Sequence, residues 1–187
     1  VFEKIPLEEL EESWFIENVT TRRPIYDSAK SALDLSLGLI FGVVFFLPAL
    51  IIAALVKVSS RGPAIFSQER AGKNGSIFKV YKFRTMREGN SGPLWTEKND
   101  DRLTTIGKFL RFSHLDEIPQ LINVLNGSIS FTGPRPERIE LVDQYRKLPY
   151  YDMRHVIKPG LTGWAQINYQ PSASLEEAYE KLRYDIY

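Results

Sequence analysis

The chain has 187 residues, 43% of them hydrophobic, which is ample material for one domain with a core. Its 24 basic and 23 acidic side chains leave a net charge of +1, so no global field points to nucleic acid and none is expected as a partner. There is no cysteine, and His114 and His155 are the only histidines; a disulfide scaffold and a Cys/His zinc site are excluded, and a cytoplasmic setting fits.

The chain opens on Val1 and stops at Tyr187 inside a helical pattern, and it reads as a piece of a longer protein. Residues 1–27 are acidic at Glu8, Glu11, Glu12 and Glu17, then basic at Arg22 and Arg23, with Trp14 and Phe15 able to dock on the remainder. They are expected to be an N-terminal linker and helix entry. Leu35 to Val56 follows, 22 residues without a charge. A straight helix of that length reaches roughly 33 Å, enough to span a bilayer. A buried core helix is the soluble alternative, and the membrane reading is preferred. Pro48 sits mid-run, where it removes one helical hydrogen bond and bends the axis. Basic residues flank both ends (Arg22, Arg23 and Lys30; Lys57 and Arg61), so neither end is marked as external. Equal flanks and a central proline predict a re-entrant helix over residues 28–60.

From Ala64 the pattern shortens to two β-rich runs around Asn74-Gly75, a strong hairpin signal. In the second run Lys82 and Arg84 share a face with Phe78 and Val80; a substrate-binding face and a solvated, lysine-guarded edge strand both fit. Glu88 to Asp101 is a polar loop, read as mobile or as a lid, in which Asp100 and Asp101 are either metal ligands or solvated charges. Arg102 to Phe112 predicts a helix carrying Arg111.

Ile118, Leu121, Ile122 and Leu125 then recur at helical period, with Pro119 in the first turn and Gly127 at the stop. Asp116 and Glu117 fall at that helix start, where exposed N–H groups favour negative charge. An Asp so placed is expected to stay ionised, which suits a nucleophile or a metal ligand, although capping alone also explains an acidic pair there. Arg111 lies five residues before Asp116, and Pro134 and Pro136 fix the backbone around Arg135. Two arginines flanking two carboxylates suit a Mg²⁺-bridged phosphate. Glu137 to Tyr150 predicts a charged amphipathic helix. The Pro159-Gly160 turn leads into Leu161 to Gln166 with its Thr-Gly-Trp, and Thr162 and Gln166 are substrate-binding candidates, while Trp164 fits a core as well as a ligand edge. Leu175, Ala178, Tyr179, Leu182 and Ile186 form a last apolar face opposite Glu176, Glu177, Glu180, Lys181 and Arg183, to lie on a membrane or pack on the domain.

The run LRFSHLDEIPQLINVLNGSISFTGPRPE resembles the signature of the bacterial sugar transferases that are polyprenyl-phosphate phosphoglycosyl transferases of the monotopic type. KVYKFRTM (Lys79 to Met86) and KPGLTGWAQIN (Lys158 to Asn168) resemble two further blocks in the same order, and the resemblance covers about Ser28 to Tyr187. It implies transfer of a sugar-1-phosphate from a UDP-sugar to polyprenyl (undecaprenyl) phosphate with release of UMP, through a phosphosugar held covalently on Asp116. It also implies Mg²⁺ with Asp116 and Glu117, phosphate holding by Lys82, Arg111 and Arg135, and a re-entrant helix. The setting it implies is the cytoplasmic face of the bacterial inner membrane, in contact with membrane lipid, at the first membrane step of polysaccharide or glycoconjugate synthesis.

The expected fold class is therefore α+β, mainly helical, with a re-entrant membrane helix, a small β-hairpin and a helical catalytic domain. The expected parts are residues 1–27, 28–60 and 61–187, the last being cytoplasmic and catalytic, with Arg84 among the substrate-binding residues. A homo-oligomer is an open possibility. Two departures stand out. Leu47 precedes Pro48 where some small members have serine, and Gln170 stands where they have an arginine. The Asn168-Tyr169 ending instead resembles exopolysaccharide-type members and suggests a hexose donor. A metal-dependent phosphohydrolase and a non-catalytic membrane scaffold of a polysaccharide assembly complex remain as alternatives.

Overall fold

A computed structural model describes residues 4–7, 11, 13, 14, 17, 23–87, 100–169 and 174–187. Phe15, Glu88 to Asn99 of the expected lid, and Gln170 lie outside the described residues. The chain forms two compact units, one of Val1–Ser36, Glu69–Lys79 and Val124–Tyr187, the other of Leu37–Gln68 and Val80–Asn123.

The architecture is mainly helical, as expected, with a long apolar helix and a small hairpin. Helix α1, Pro24–Ser59, is 36 residues long and carries Pro48 inside it. It starts well before the apolar run because Lys30 and Asp34 are satisfied by protein. The Lys30 ammonium donates to the Ser130 and Thr132 hydroxyls, and Asp34 Oδ1 accepts the Phe131 N–H at 3.2 Å. Further along, Leu39, Val43, Val44, Phe46 and Leu47 are exposed, unlike the side chains of a soluble core helix. This is a helix long and apolar enough to cross a membrane.

Strands β1 (Ile65–Ala71) and β2 (Ile77–Phe83) make the expected hairpin. Asn74 and Gly75 both take positive φ, 54° and 73°, and Ser76 N–H returns to the Lys73 carbonyl at 3.1 Å, as a primed two-residue turn requires. In the second unit α2 (Thr105–Phe112) begins at Thr104, whose side chain accepts the Gly107 N–H at 2.8 Å, rather than at Arg102. Its core holds Ile52, Val56, Phe83 and Leu110.

The helix expected over the acidic pair is instead a 3₁₀ segment, Leu115–Gln120, followed by a short helix α3, Leu121–Leu125. Pro119 has no N–H to continue an α-helical ladder. The tighter 3₁₀ turn rotates successive side chains further than an α-helix does, so Ile118 packs on the core while Ile122 stays exposed. The expected continuous apolar face is corrected accordingly.

In the first unit two three-residue strands, β3 (Ser130–Thr132) and β4 (Gly160–Thr162), pair in parallel with Ser130 opposite Gly160 and Thr132 opposite Thr162. Helix α4, Ile139–Tyr145, is shorter than its charged pattern suggested. Helix α5, Trp164–Asn168, leaves Trp164 partly exposed rather than in the core. Helix α6, Leu175–Ile186, is capped by the Ser174 hydroxyl and packs its apolar face on Leu7, Leu141, Val142, Tyr145 and Tyr151. Lys181, expected on the solvated face, is buried.

Candidate active site

The sequence candidates fall into both units. In the second, Arg111 ends α2 and His114 turns the chain in the left-handed region, at φ 56° and ψ 14°, to start the 3₁₀ segment. That reversal places Asp116 and Glu117 in its first turn. Asp116 is buried, at 7% exposure. Glu117 accepts the Lys82 ammonium at 2.5 Å, which joins strand β2 to the acidic pair. Burial raises the Asp116 carboxyl above its ordinary value; Lys82 and Arg111 oppose this and Glu117 adds to it. Desolvation thus outweighs the helix start in setting the direction of the shift.

Arg111 is oriented by Thr85, whose hydroxyl accepts its Nε–H at 2.9 Å. Thr85 is in turn pressed against α2. Its carbonyl accepts the Thr104 N–H at 3.0 Å, and a Cβ on Gly107 would lie 2.0 Å from that oxygen. Thr85 and Gly107 are supports that the sequence reading missed; a glycine two residues after the Thr104-Thr105 pair was the available signal.

Arg84 is placed differently from Lys82. Its Nη2 donates to the Ser60 carbonyl at 2.7 Å and the Ser60 hydroxyl at 3.0 Å, so it closes the C-terminal end of α1. Asp100 is also engaged: Arg102 holds it with contacts of 2.5 to 3.0 Å and brings its carboxyl down to about 2. Asp101 is exposed. Among the described residues no three Asp, Glu, His or Cys side chains gather.

In the first unit Arg135 Nη1 donates to Gln166 Oε1 at 3.1 Å. Strands β3 and β4 bring these two blocks together through backbone contact without side chains between. A Cβ on Gly133 would meet the Lys158 carbonyl at 2.3 Å, and one on Gly160 the Gly133 nitrogen at 2.1 Å. Thr162 contributes its carbonyl, which accepts the Gly133 N–H at 2.9 Å, while the residue itself is exposed.

The Asp116–Glu117 pair suits a hard divalent cation. Two adjacent carboxylates, one buried and raised by burial, gain from a positive charge, and Mg²⁺ commonly takes one or two carboxylates together with water and phosphate. The second unit thus gathers an acidic pair, a lysine and an oriented arginine, chemistry that suits a phosphate with its cation.

The bacterial sugar transferase family matches residues 25–187, and the chain belongs to that family. It is 38% identical over 168 residues to a UDP-N-acetylgalactosamine-undecaprenyl-phosphate N-acetylgalactosaminephosphotransferase of Aeromonas hydrophila, covering 88% of this chain and 40% of that protein. It is 40% identical over 176 residues to a UDP-glucose:undecaprenyl-phosphate glucose-1-phosphate transferase of Escherichia coli, covering 87% of this chain and 38% of that protein. An exopolysaccharide production protein of Rhizobium leguminosarum is 43% identical over 147 residues, 74% of either chain. The chain thus spans about two fifths of the length of the first two relatives.

Proposed function

We propose that this chain is the catalytic part of a phosphoglycosyl transferase that moves a sugar-1-phosphate from a UDP-sugar to undecaprenyl phosphate and releases UMP. The observation that carries the reading is Asp116, buried beside Glu117, with Lys82 on Glu117 and Arg111 held by Thr85. The names of the relatives, which specify this reaction with glucose or N-acetylgalactosamine phosphate, support it.

In this scheme an Asp116 oxygen attacks the β-phosphorus of the donor. The bond from that phosphorus to the bridging oxygen breaks, and UMP leaves with the electron pair. The acceptor's phosphate oxygen then attacks the same phosphorus and expels the Asp116 carboxylate, giving the diphosphate-linked sugar. Burial strips water from the attacking carboxylate, and position with charge neutralisation does the remainder. Asp116 and Glu117 would hold Mg²⁺, which supplies neutralising charge to the diphosphate. Lys82 steadies Glu117 and adds positive charge, Arg111 brings a forked, oriented guanidinium to phosphate oxygens, and Arg135 with Gln166 serves the donor's phosphates.

The membrane reading belongs to the same proposal. Residues 28–60 enter the bilayer and return to the cytoplasmic face of the inner membrane, and 61–187 work at headgroup height, where the acceptor's phosphate lies. The arms on either side of Pro48 in the uncharged run are about 13 and 8 residues, so neither alone crosses a core of about 30 Å. Single cysteines near Ser31 and Ser60 are expected to label with an impermeant thiol reagent from the cytoplasmic face only. Labelling of Ser31 from outside with Ser60 inside makes α1 a spanning helix.

Incubation with a panel of UDP-sugars and undecaprenyl phosphate is expected to release UMP and form the lipid-linked product. Phosphosugar release without acceptor makes the protein a phosphohydrolase; full biological function in Asp116→Ala makes it a scaffold.

A further inference from the structure

The buried charges around helix α6 take no part in the reaction as described, yet their hydrogen bonds run to the turn that carries Arg135. Arg154, in the 3₁₀ segment Tyr151–His155, is 4% exposed. Its Nε and Nη2 both donate to Asp185 Oδ2, at 3.1 and 2.7 Å, and Nη1 donates to the Tyr151 hydroxyl at 3.1 Å. Nη2 also donates to the main-chain carbonyl of Arg135, at 2.9 Å. Two residues on, Glu137 accepts the Lys181 ammonium at 2.7 Å. Asp185 and Lys181 lie one turn apart on α6, so a single helix face fastens residues 135 and 137 together.

A guanidinium is a planar fork, and once Asp185 and Tyr151 fix its plane, the remaining N–H points in one direction. It points at the carbonyl between Pro134 and Pro136, whose rings already restrict the backbone on either side. At the other end of the same residue, Gln166 accepts from the Arg135 guanidinium. Arg135 is therefore held at its main chain and at its tip. Buried ion pairs are weak devices for stability, because desolvation offsets much of their attraction. Their direction is what they fix well.

We propose that Arg154, locked by Asp185 and Tyr151, is a positioning residue for Arg135, setting the Pro134–Pro136 main chain so that the Arg135 guanidinium meets the donor's diphosphate in one orientation. The inference rests on the reading that Arg135 holds phosphate.

The test is a double-mutant cycle on the whole protein in its membrane environment, with UDP-sugar as the varied substrate. Arg135→Ala keeps the carbonyl that Arg154 binds and removes only the guanidinium. Asp185→Asn is expected to raise KM for the UDP-sugar about tenfold and to change kcat by no more than about twofold, because misplacing a binding group is felt where it binds. Tyr151→Phe, which keeps the Arg154–Asp185 pair and serves if Asp185→Asn does not fold, should raise it about threefold. In the Arg135→Ala background each is expected to add less than about twofold, the signature of residues acting through one another. Effects that multiply independently of Arg135→Ala overturn the positioning role. An unchanged KM in Arg135→Ala alone removes the phosphate role of Arg135, and the inference falls with it.

Discussion

Two groups of buried carboxylates in this protein are treated in opposite ways. In the first unit Asp185 and Glu137 face Arg154 and Lys181, two acids against two bases. Burial alone would raise Glu137, but Lys181 and Arg154 outweigh it and bring its carboxyl down to about 2. Asp185, with Tyr151 and Glu137, holds the Arg154 guanidinium charged in turn, although burial opposes it. In the second unit Asp116 is buried too, while the Lys82 ammonium is engaged by Glu117. There burial wins, and the Asp116 carboxyl is raised. A satisfied buried charge fixes geometry, whereas one raised by burial stores an interaction that a substrate or cation can complete.

The largest effect expected from breaking this contrast is at Asp116. Asp116→Asn should abolish turnover, since an amide is not a nucleophile here, and should also raise the melting temperature. The sign follows from the raised carboxyl: its contribution to stability is present at low pH and is lost as pH rises past the ordinary carboxylate range, so the amide removes a neutral-pH cost. Thermal unfolding in detergent at pH 7 checks it, and an unchanged or lower melting temperature contradicts the burial argument.

Glu137→Gln should do the reverse. It leaves buried Lys181 without its acid, while Arg154 keeps Asp185, at a cost of about 3–5 kcal/mol in denaturant unfolding. In the unaltered protein this carboxylate's contribution should be complete above about pH 4.5 and fall away as pH drops toward about 2. The two carboxylates thus predict opposite pH slopes, separable by measuring the two variants across acid pH.

Smaller effects sharpen the site itself. Gly107→Ala would set a Cβ 2.0 Å from the Thr85 carbonyl, so α2 must shift and Arg111 with it. A stability loss of about 1–3 kcal/mol with a larger fall in kcat/KM is expected, by calorimetry and UMP release. Arg111→Lys keeps charge but loses the forked donor, and about a tenfold loss in kcat/KM should follow at near-native stability. Near-normal kinetics in that variant would make the Thr85–Arg111 contact structural.

What the sequence revealed here was local. Asn74-Gly75 announced its turn because two left-handed residues are a backbone demand, and the uncharged run announced α1 because nothing else interrupts it. The helix expected over residues 28–60 begins at Pro24 instead, and Lys30 and Asp34 inside it find their partners on β3. The acidic pair was located correctly but on the wrong kind of helix, because Pro119 tolerates an α-helical first turn and a 3₁₀ segment equally. The pairing of β3 with β4 has no periodicity to detect in three-residue strands; it depends on Gly133 and Gly160 meeting backbone to backbone. Lys181 reads as a charge on the polar face of its helix, and only tertiary packing gives it Glu137. Arg84 looked equivalent to Lys82 by alternation, yet the end of α1 claimed its guanidinium.

The central claim is that Asp116 itself carries the phosphosugar between donor and acceptor. Intact-mass measurement after incubation with a turned-over UDP-sugar, Mg²⁺ and no acceptor tests it most directly. The account predicts an added mass of one hexose phosphate (or its N-acetylated counterpart) mapped to Asp116, with an equivalent amount of UMP released and the adduct discharged by undecaprenyl phosphate. Protein that remains unmodified with donor alone, yet turns over normally once acceptor is added, would contradict it.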